Sequence, residues 1–148
     1  MALPPGGSPG FLLWHATLRW QRAIAAALAP LELTHVQFVL LASVWWLGDQ
    51  GEPPNQLAVA AHAGTDVKMT SQVLRTLERN GLVSRETDPA DTRAKLLQVT
   101  ARGAELAPRA IAAVERVDAD FFRPVPTEGA LALLRRLAHP DGSGRAID

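Results

Sequence analysis

Between Pro54 and Thr100 the pattern of the chain changes from short helices to short strands, and that order restricts the fold more than any other feature. Asn55 is placed to cap a helix over Gln56–Ala63, whose Leu57, Val59, Ala60 and Ala61 supply small apolar packing. Gly64-Thr65-Asp66 follows as a tight turn, with Thr65 or Asp66 as cap of a second helix from Val67 to Asn80 that Gly81 ends. Two helices joined this way have the layout of a helix-turn-helix. Directly afterwards, Leu82–Thr87 and Lys95–Thr100 read as short strands joined by the turn-rich Asp88–Ala94. A helix-turn-helix continued by a β-hairpin is a winged helix. The expected fold is therefore mainly α with a small β-hairpin wing.

The flanks are helical. Phe11–Ala29 repeats apolar residues at helix spacing and meets Pro30, which stops it. Thr34 followed by Gln37 fits a capping box for a helix reaching Leu47, which Gly48–Gly51 would end. Thr100 can cap a long helix over Ala101–Phe122 with Leu106, Ala110, Val114, Val117 and Phe121 in one stripe. Pro124 and Pro126 break it, and Thr127–Ala138 forms a last short helix with Leu131, Leu134 and Leu137 on one side. Trp20, Ile24, Leu28, Val114, Val117, Phe121, Leu131 and Leu134 demand more cover than one small winged helix offers, which predicts a homodimer. Residues 1–10 and 139–148 read as irregular tails, leaving one domain over residues 11–138.

Composition excludes several classes. With 47% apolar residues the chain can build a core, and without cysteine it has no disulfides, thiolate metal sites or thiol switch. Fifteen basic and fifteen acidic side chains cancel, so a nonspecific nucleic-acid coat or a polybasic membrane anchor is not expected. The apolar run Val36–Leu47 is too short to cross a bilayer, and the N-terminus lacks the pattern of a secretory signal. A cytoplasmic protein without a membrane partner is expected. No G-x-S-x-G, Gly-rich phosphate loop or H-E-x-x-H is present, and His15, His35, His62 and His139 share no metal-ligand spacing. Neither catalysis nor a cofactor is expected.

Charge is distributed unevenly. Residues 55–103 carry seven Lys and Arg against five Asp and Glu, a net +2, whereas the segments before and after are each −1. On the second helix Met69, Val73, Leu74 and Leu77 are expected to be buried, which leaves Lys68, Thr70, Ser71, Gln72, Arg75 and Arg79 on the other face. Base edges in a major groove are read by side chains near the N-terminus of a docked helix, where Thr70, Ser71 and Gln72 fall. Lys68, Arg75 and Arg79 suit phosphates, which fix register. Arg85 and Lys95 add cationic charge on the strands. Arg93, near the hairpin tip, can enter a minor groove, with Asp91 expected to orient its guanidinium through a bidentate pair. Double-stranded DNA is the expected partner. A winged helix used only for protein contacts is the alternative, and it would be expected to lack this cationic face.

Three runs in sequence carry a resemblance: Leu77-Glu78-Arg79-Asn80-Gly81-Leu82-Val83-Ser84-Arg85, then Asp88-Pro89-Ala90-Asp91-Thr92-Arg93, then Val99-Thr100-Ala101-Arg102-Gly103. Together with Leu33-Thr34-His35-Val36-Gln37-Phe38 they resemble the MarR family of bacterial transcription regulators over residues 33 to about 122. Val99 stands where that pattern usually has Leu, and Gln56 where it often has Glu. The resemblance implies an obligate dimer interlocked through its terminal helices, with residues 11–30 and 101–138 as dimerisation helices and residues 34–100 as the DNA-binding region. It further implies sequence-specific DNA binding, usually repression, often relieved by a small ligand. Trp14, Trp20, Trp45 and Trp46 suit a core and dimer interface. A sharper possibility is that Trp14, His15 and Trp45 or Trp46 line a cavity for a lipophilic or aromatic effector.

Overall fold

The computed structural model describes residues 1–142. Six α-helices and one antiparallel hairpin follow in the order α1 (Pro9–Leu28), α2 (His35–Asp49), α3 (Gln56–Ala63), α4 (Val67–Arg79), β1 (Val83–Thr87), β2 (Lys95–Val99), α5 (Ala101–Phe121) and α6 (Thr127–Ala138). This is the mainly α winged helix that the sequence predicts.

The helix starts are set by side-chain caps that satisfy otherwise unpaired amide groups. Thr34 and Gln37 form the capping box of α2, Asn55 accepts from Ala58 N–H, and Thr100 accepts from Gly103 N–H. For α4 the cap is Asp66, which accepts from Met69 N–H at 2.8 Å. The other candidate, Thr65, instead bonds the Thr70 hydroxyl at 2.7 Å. Residues 5–10 correct the expectation of an irregular N-terminal tail. A 3₁₀ turn covers Pro5–Gly7 and α1 begins at Pro9, with Ser8 as its cap. A proline fits there because the first turn of a helix has no use for its missing N–H. Of the expected C-terminal tail, His139 to Gly142 form no regular element, and residues 143–148 lie outside the described residues.

The core lies where α2 is surrounded. Leu40, Leu41 and Val44 meet Ile24 and Leu28 of α1, Val59 of α3, Leu74 and Leu77 of α4, Leu97 of β2, and Ala107 and Ala110 of α5. Ile24, Leu28 and Val114, expected to need a second subunit, are thus closed within one chain. The unmet demand falls elsewhere. Phe11, Leu12, Leu13 and Trp14 are exposed, and so is every residue of α6 from Leu131 to Ala138.

Candidate nucleic-acid interface

The interface is built on the exit from α4. Asn80 closes that helix and Gly81 takes a φ of 73°, which glycine adopts without steric cost. Leu82 N–H bonds Leu77 C=O and Gly81 N–H bonds Glu78 C=O, so the last carbonyls of α4 are paired as the chain turns into β1. Thr100 fastens the far end of the hairpin to the same place. Its hydroxyl donates to Gly81 C=O at 2.6 Å and its N–H to Leu82 C=O at 3.0 Å. The wing is therefore held at both ends against α4. At its inner edge, Leu97 N–H bonds Pro54 C=O and Asn55 bridges Leu96, which ties β2 to the start of α3.

On α4 the outward face differs from the expected one at two adjacent positions. Thr70 is fully buried, and Met69 is 43% exposed. The buried stripe of the helix runs Thr70, Leu74, Leu77, with Val73 half-buried, so helical phase places position 70 inside. Burial of the Thr70 hydroxyl is affordable because it donates to Asp66 C=O at 2.7 Å and also bonds Thr65 Oγ1. Thr70 therefore cannot read a base. Gln72, Lys68, Arg75 and Arg79 are exposed and Ser71 is half-buried. The Arg79 guanidinium lies along its own helix, donating to Thr76 Oγ1 at 3.1 Å.

The wing tip is ordered by its two aspartates. Asp88 accepts from Ala90 N–H at 2.8 Å and Asp91 from Arg93 N–H at 3.0 Å, local turns that short acidic side chains favour. The expected bidentate Asp91–Arg93 pair is corrected: only Nε approaches Asp91 Oδ1, at 3.8 Å, and the Arg93 side chain is 95% exposed. The carboxylate shapes the loop, and the guanidinium projects from it. Lys95 Nζ donates to Thr87 Oγ1 across the hairpin at 3.1 Å. Between wing and helix-turn-helix lies an open cleft of about 470 Å³, onto which Asn55, Ser71, Arg85, Asp91, Arg93 and Lys95 face. Among the described residues the only ion pairs are Arg93–Asp91 and Arg123–Asp120, so Lys68, Arg75, Arg79, Arg85 and Lys95 carry charge that no carboxylate neutralises directly. An uncompensated cationic face around a polar helix suits a polyanion.

The aromatic residues considered for an effector cavity lie in different parts of one chain. Trp14 is 61% exposed on the outer part of α1, whereas Trp45 borders a separate groove of about 430 Å³ with Val44, Asp49, Leu97 and Val99. Neither Trp14 nor His15 reaches that groove. Two polar contacts within the helical layers escaped the sequence reading. Trp20 Nε1–H donates to Asp118 at 2.8 Å, joining α1 to α5, and His62 Nδ1 lies 3.1 Å from Ser43 Oγ, joining α3 to α2. Neither has a local sequence signal, since the partners are distant in the chain.

Residues 33–95 match the model of the MarR family. A Bacillus subtilis (strain 168) protein described as an uncharacterized HTH-type transcriptional regulator, YdcH, is 46% identical over 118 residues, covering 80% of each chain. The chain belongs to the MarR family. The MarR fold also fits its other relatives. The HTH-type transcriptional repressor Rv2887 of Mycobacterium tuberculosis is 34% identical over 80% of this chain and 83% of its own. The crystal structure of CouR from Rhodococcus jostii RHA1, bound to p-coumaroyl-CoA, superposes with a TM-score of 0.79 at 27% identity, covering 95% of this chain and 98% of that one. This MarR-family protein is a winged-helix transcriptional regulator. Among the described residues no single helix is long and apolar enough to cross a membrane.

Proposed function

We propose that two copies of this chain bind a pseudo-palindromic operator as a cytoplasmic repressor, acting by binding alone and released by a small lipophilic or aromatic effector. The observation that carries the DNA-binding geometry is the pairing of an exposed Gln72 on α4 with the outstretched Arg93 of the wing. Gln72 reads adenine in the major groove through its donor and acceptor, with Ser71 beside it. Lys68, Arg75, Arg79, Arg85 and Lys95 hold phosphates, and Arg93 enters the adjoining minor groove, with Asp91 shaping its loop. Dimerisation through α1, α5 and α6 is supported by the exposed apolar residues at the start of α1 and along α6. Two-fold symmetry would then set the paired α4 helices one DNA turn apart, roughly 34 Å. Repression is supported by the designation of Rv2887, and an aromatic effector by the ligand of CouR.

A gel-shift titration with the DNA upstream of the protein's own gene tests the reading. Gln72→Ala is expected to cost about 1–3 kcal/mol on the best site and little on random duplex. Arg93→Ala should weaken binding and relax preference at the flanks of the site, where the minor-groove contact lies. Equal losses from Gln72→Ala on specific and random DNA would remove Gln72 as a base reader. A strictly monomeric protein, or one that ignores every duplex at low salt, would overturn the proposal.

A further inference from the structure

The first turn of α4 carries two apolar side chains that the described residues leave about half exposed. Val67 and Met69 are 55% and 43% exposed, while the same helix buries Thr70, Leu74 and Leu77. Asp66 fixes the turn by capping Met69 N–H, so both side chains sit on an ordered helix end. Residues three and four apart share a helix face, which sets Met69 beside Gln72 and Val67 beside Ser71. Lys68 lies between them and Arg75 one turn beyond, both exposed and without an ion-pair partner among the described residues. The occupant of this surface must therefore offer anions at its rim and small apolar groups deeper in. A major groove does so: phosphates line its edges, and each thymine presents a C5 methyl on its floor.

We infer that Val67 and Met69 are specificity-determining residues that contact thymine methyl groups next to the base edges read by Gln72 and Ser71. The inference rests on the reading that α4 enters the major groove, and it assigns to that helix an apolar as well as a polar code. Removing water from one methyl group contributes enough to discriminate about three- to fivefold in affinity.

The test uses the full chain and a duplex that it selects from a randomised pool. Each thymine of the half-site is replaced in turn by deoxyuridine, which deletes one methyl and leaves the hydrogen-bonding edges intact. One or two positions per half-site should lose about three- to fivefold. Met69→Ala and Val67→Ala should bind the thymine duplex more weakly by a similar factor, and each should lose the thymine-over-uracil preference at its own position. Both side chains are exposed, so thermal melting of the variants should match the parent protein. The deoxyuridine scan of the unaltered protein needs no variant at all. Tight binding to the selected duplex with no loss at any deoxyuridine, or variants that keep the full preference, would overturn the inference and leave the major-groove reading standing. Failure to select any duplex would overturn both.

Discussion

The core around α2 and the outer helical segments, the start of α1 and α6, put similar apolar residues to opposite uses. From Leu33 to Leu97 the large aliphatic residues of the core, such as Leu40, Leu41, Val44, Leu74 and Leu77, are closed to solvent within one chain. Phe11 to Trp14 and Leu131, Leu133, Leu134 and Leu137 are 42–62% exposed. Both α4 and α6 carry an apolar stripe at helix spacing, so the presence of a stripe does not separate the two. What separates them is cover. The core around α2, closed in part by the inner half of α1 and by α5, is complete and carries the wing, whereas the start of α1 and α6 present half of one.

Gly103 offers the sharpest way to break the complete half. A Cβ on this residue would sit 2.0 Å from the Leu82 carbonyl oxygen, the group that also receives Thr100 N–H. The obstacle is backbone, which cannot rotate away, at the point where α5 is held against the exit of α4. Gly103→Ala is expected to destabilise folding by about 4 kcal/mol or more, read from the urea midpoint. An unchanged midpoint would show that the junction yields and that the core around α2 is less tightly closed than its burial implies.

The fold was legible wherever a local rule sets an element. Caps at Thr34, Asn55 and Thr100, the turns at Gly64 and Gly81, and the alternation around Val83 and Leu97 place α2 to α5 and the wing to within about two residues. α5 runs through Pro108, and its apolar stripe continues on both sides. The start of α1 was missed because a Pro- and Gly-rich opening resembles a tail, although Pro9 sits where a helix accepts proline. At the candidate site the cationic residues follow from type and spacing, and the structure leaves Lys68, Arg75, Arg79 and Lys95 exposed. Met69 and Thr70 were exchanged because hydrophobicity favours burying methionine. Helical phase and a hydrogen bond to the preceding turn let threonine be buried instead. The separation of Trp14 from Trp45 was unreadable, since it depends on how α1 crosses the fold.

The incomplete half can be broken on α6 without touching the core. Leu134→Asp or Leu137→Asp places a charge on a surface that is already exposed within one chain, so the isolated subunit should fold unchanged. In a dimer covered by that stripe the charge would be buried, and dissociation should become easier by about 2–3 kcal/mol. Light scattering across a concentration series should show the midpoint of dissociation rising on the order of a hundredfold. Should the variants keep the parent's oligomeric state at all concentrations, α6 is not part of the missing cover, and the comparison must be redrawn around the start of α1 alone.

The smallest effect lies on the seam between the halves, at the first residue of α2. The His35 ring meets Trp20 edge-on at 5.0 Å, and Trp20 in turn bonds Asp118 of α5. Burial pushes the His35 pKa below its ordinary 6.5, with the nearby Asp118 charge opposing the shift. The folded protein thus holds this imidazole neutral at a pH where the unfolded chain binds a proton. Its contribution to stability is complete above the unfolded value of 6.5 and is lost as pH falls from there through the lower folded value. Thermal midpoints of the parent protein and His35→Gln, compared across that interval, should diverge: the parent declines more steeply on acidification, and the variant follows only the titration of the remaining groups. The seam is a weak point of the winged helix if the two curves separate. Parallel curves would mean that His35 is solvated as freely in the folded chain as in the unfolded one, and that the boundary between α1 and α2 is more open than its aromatic contact indicates.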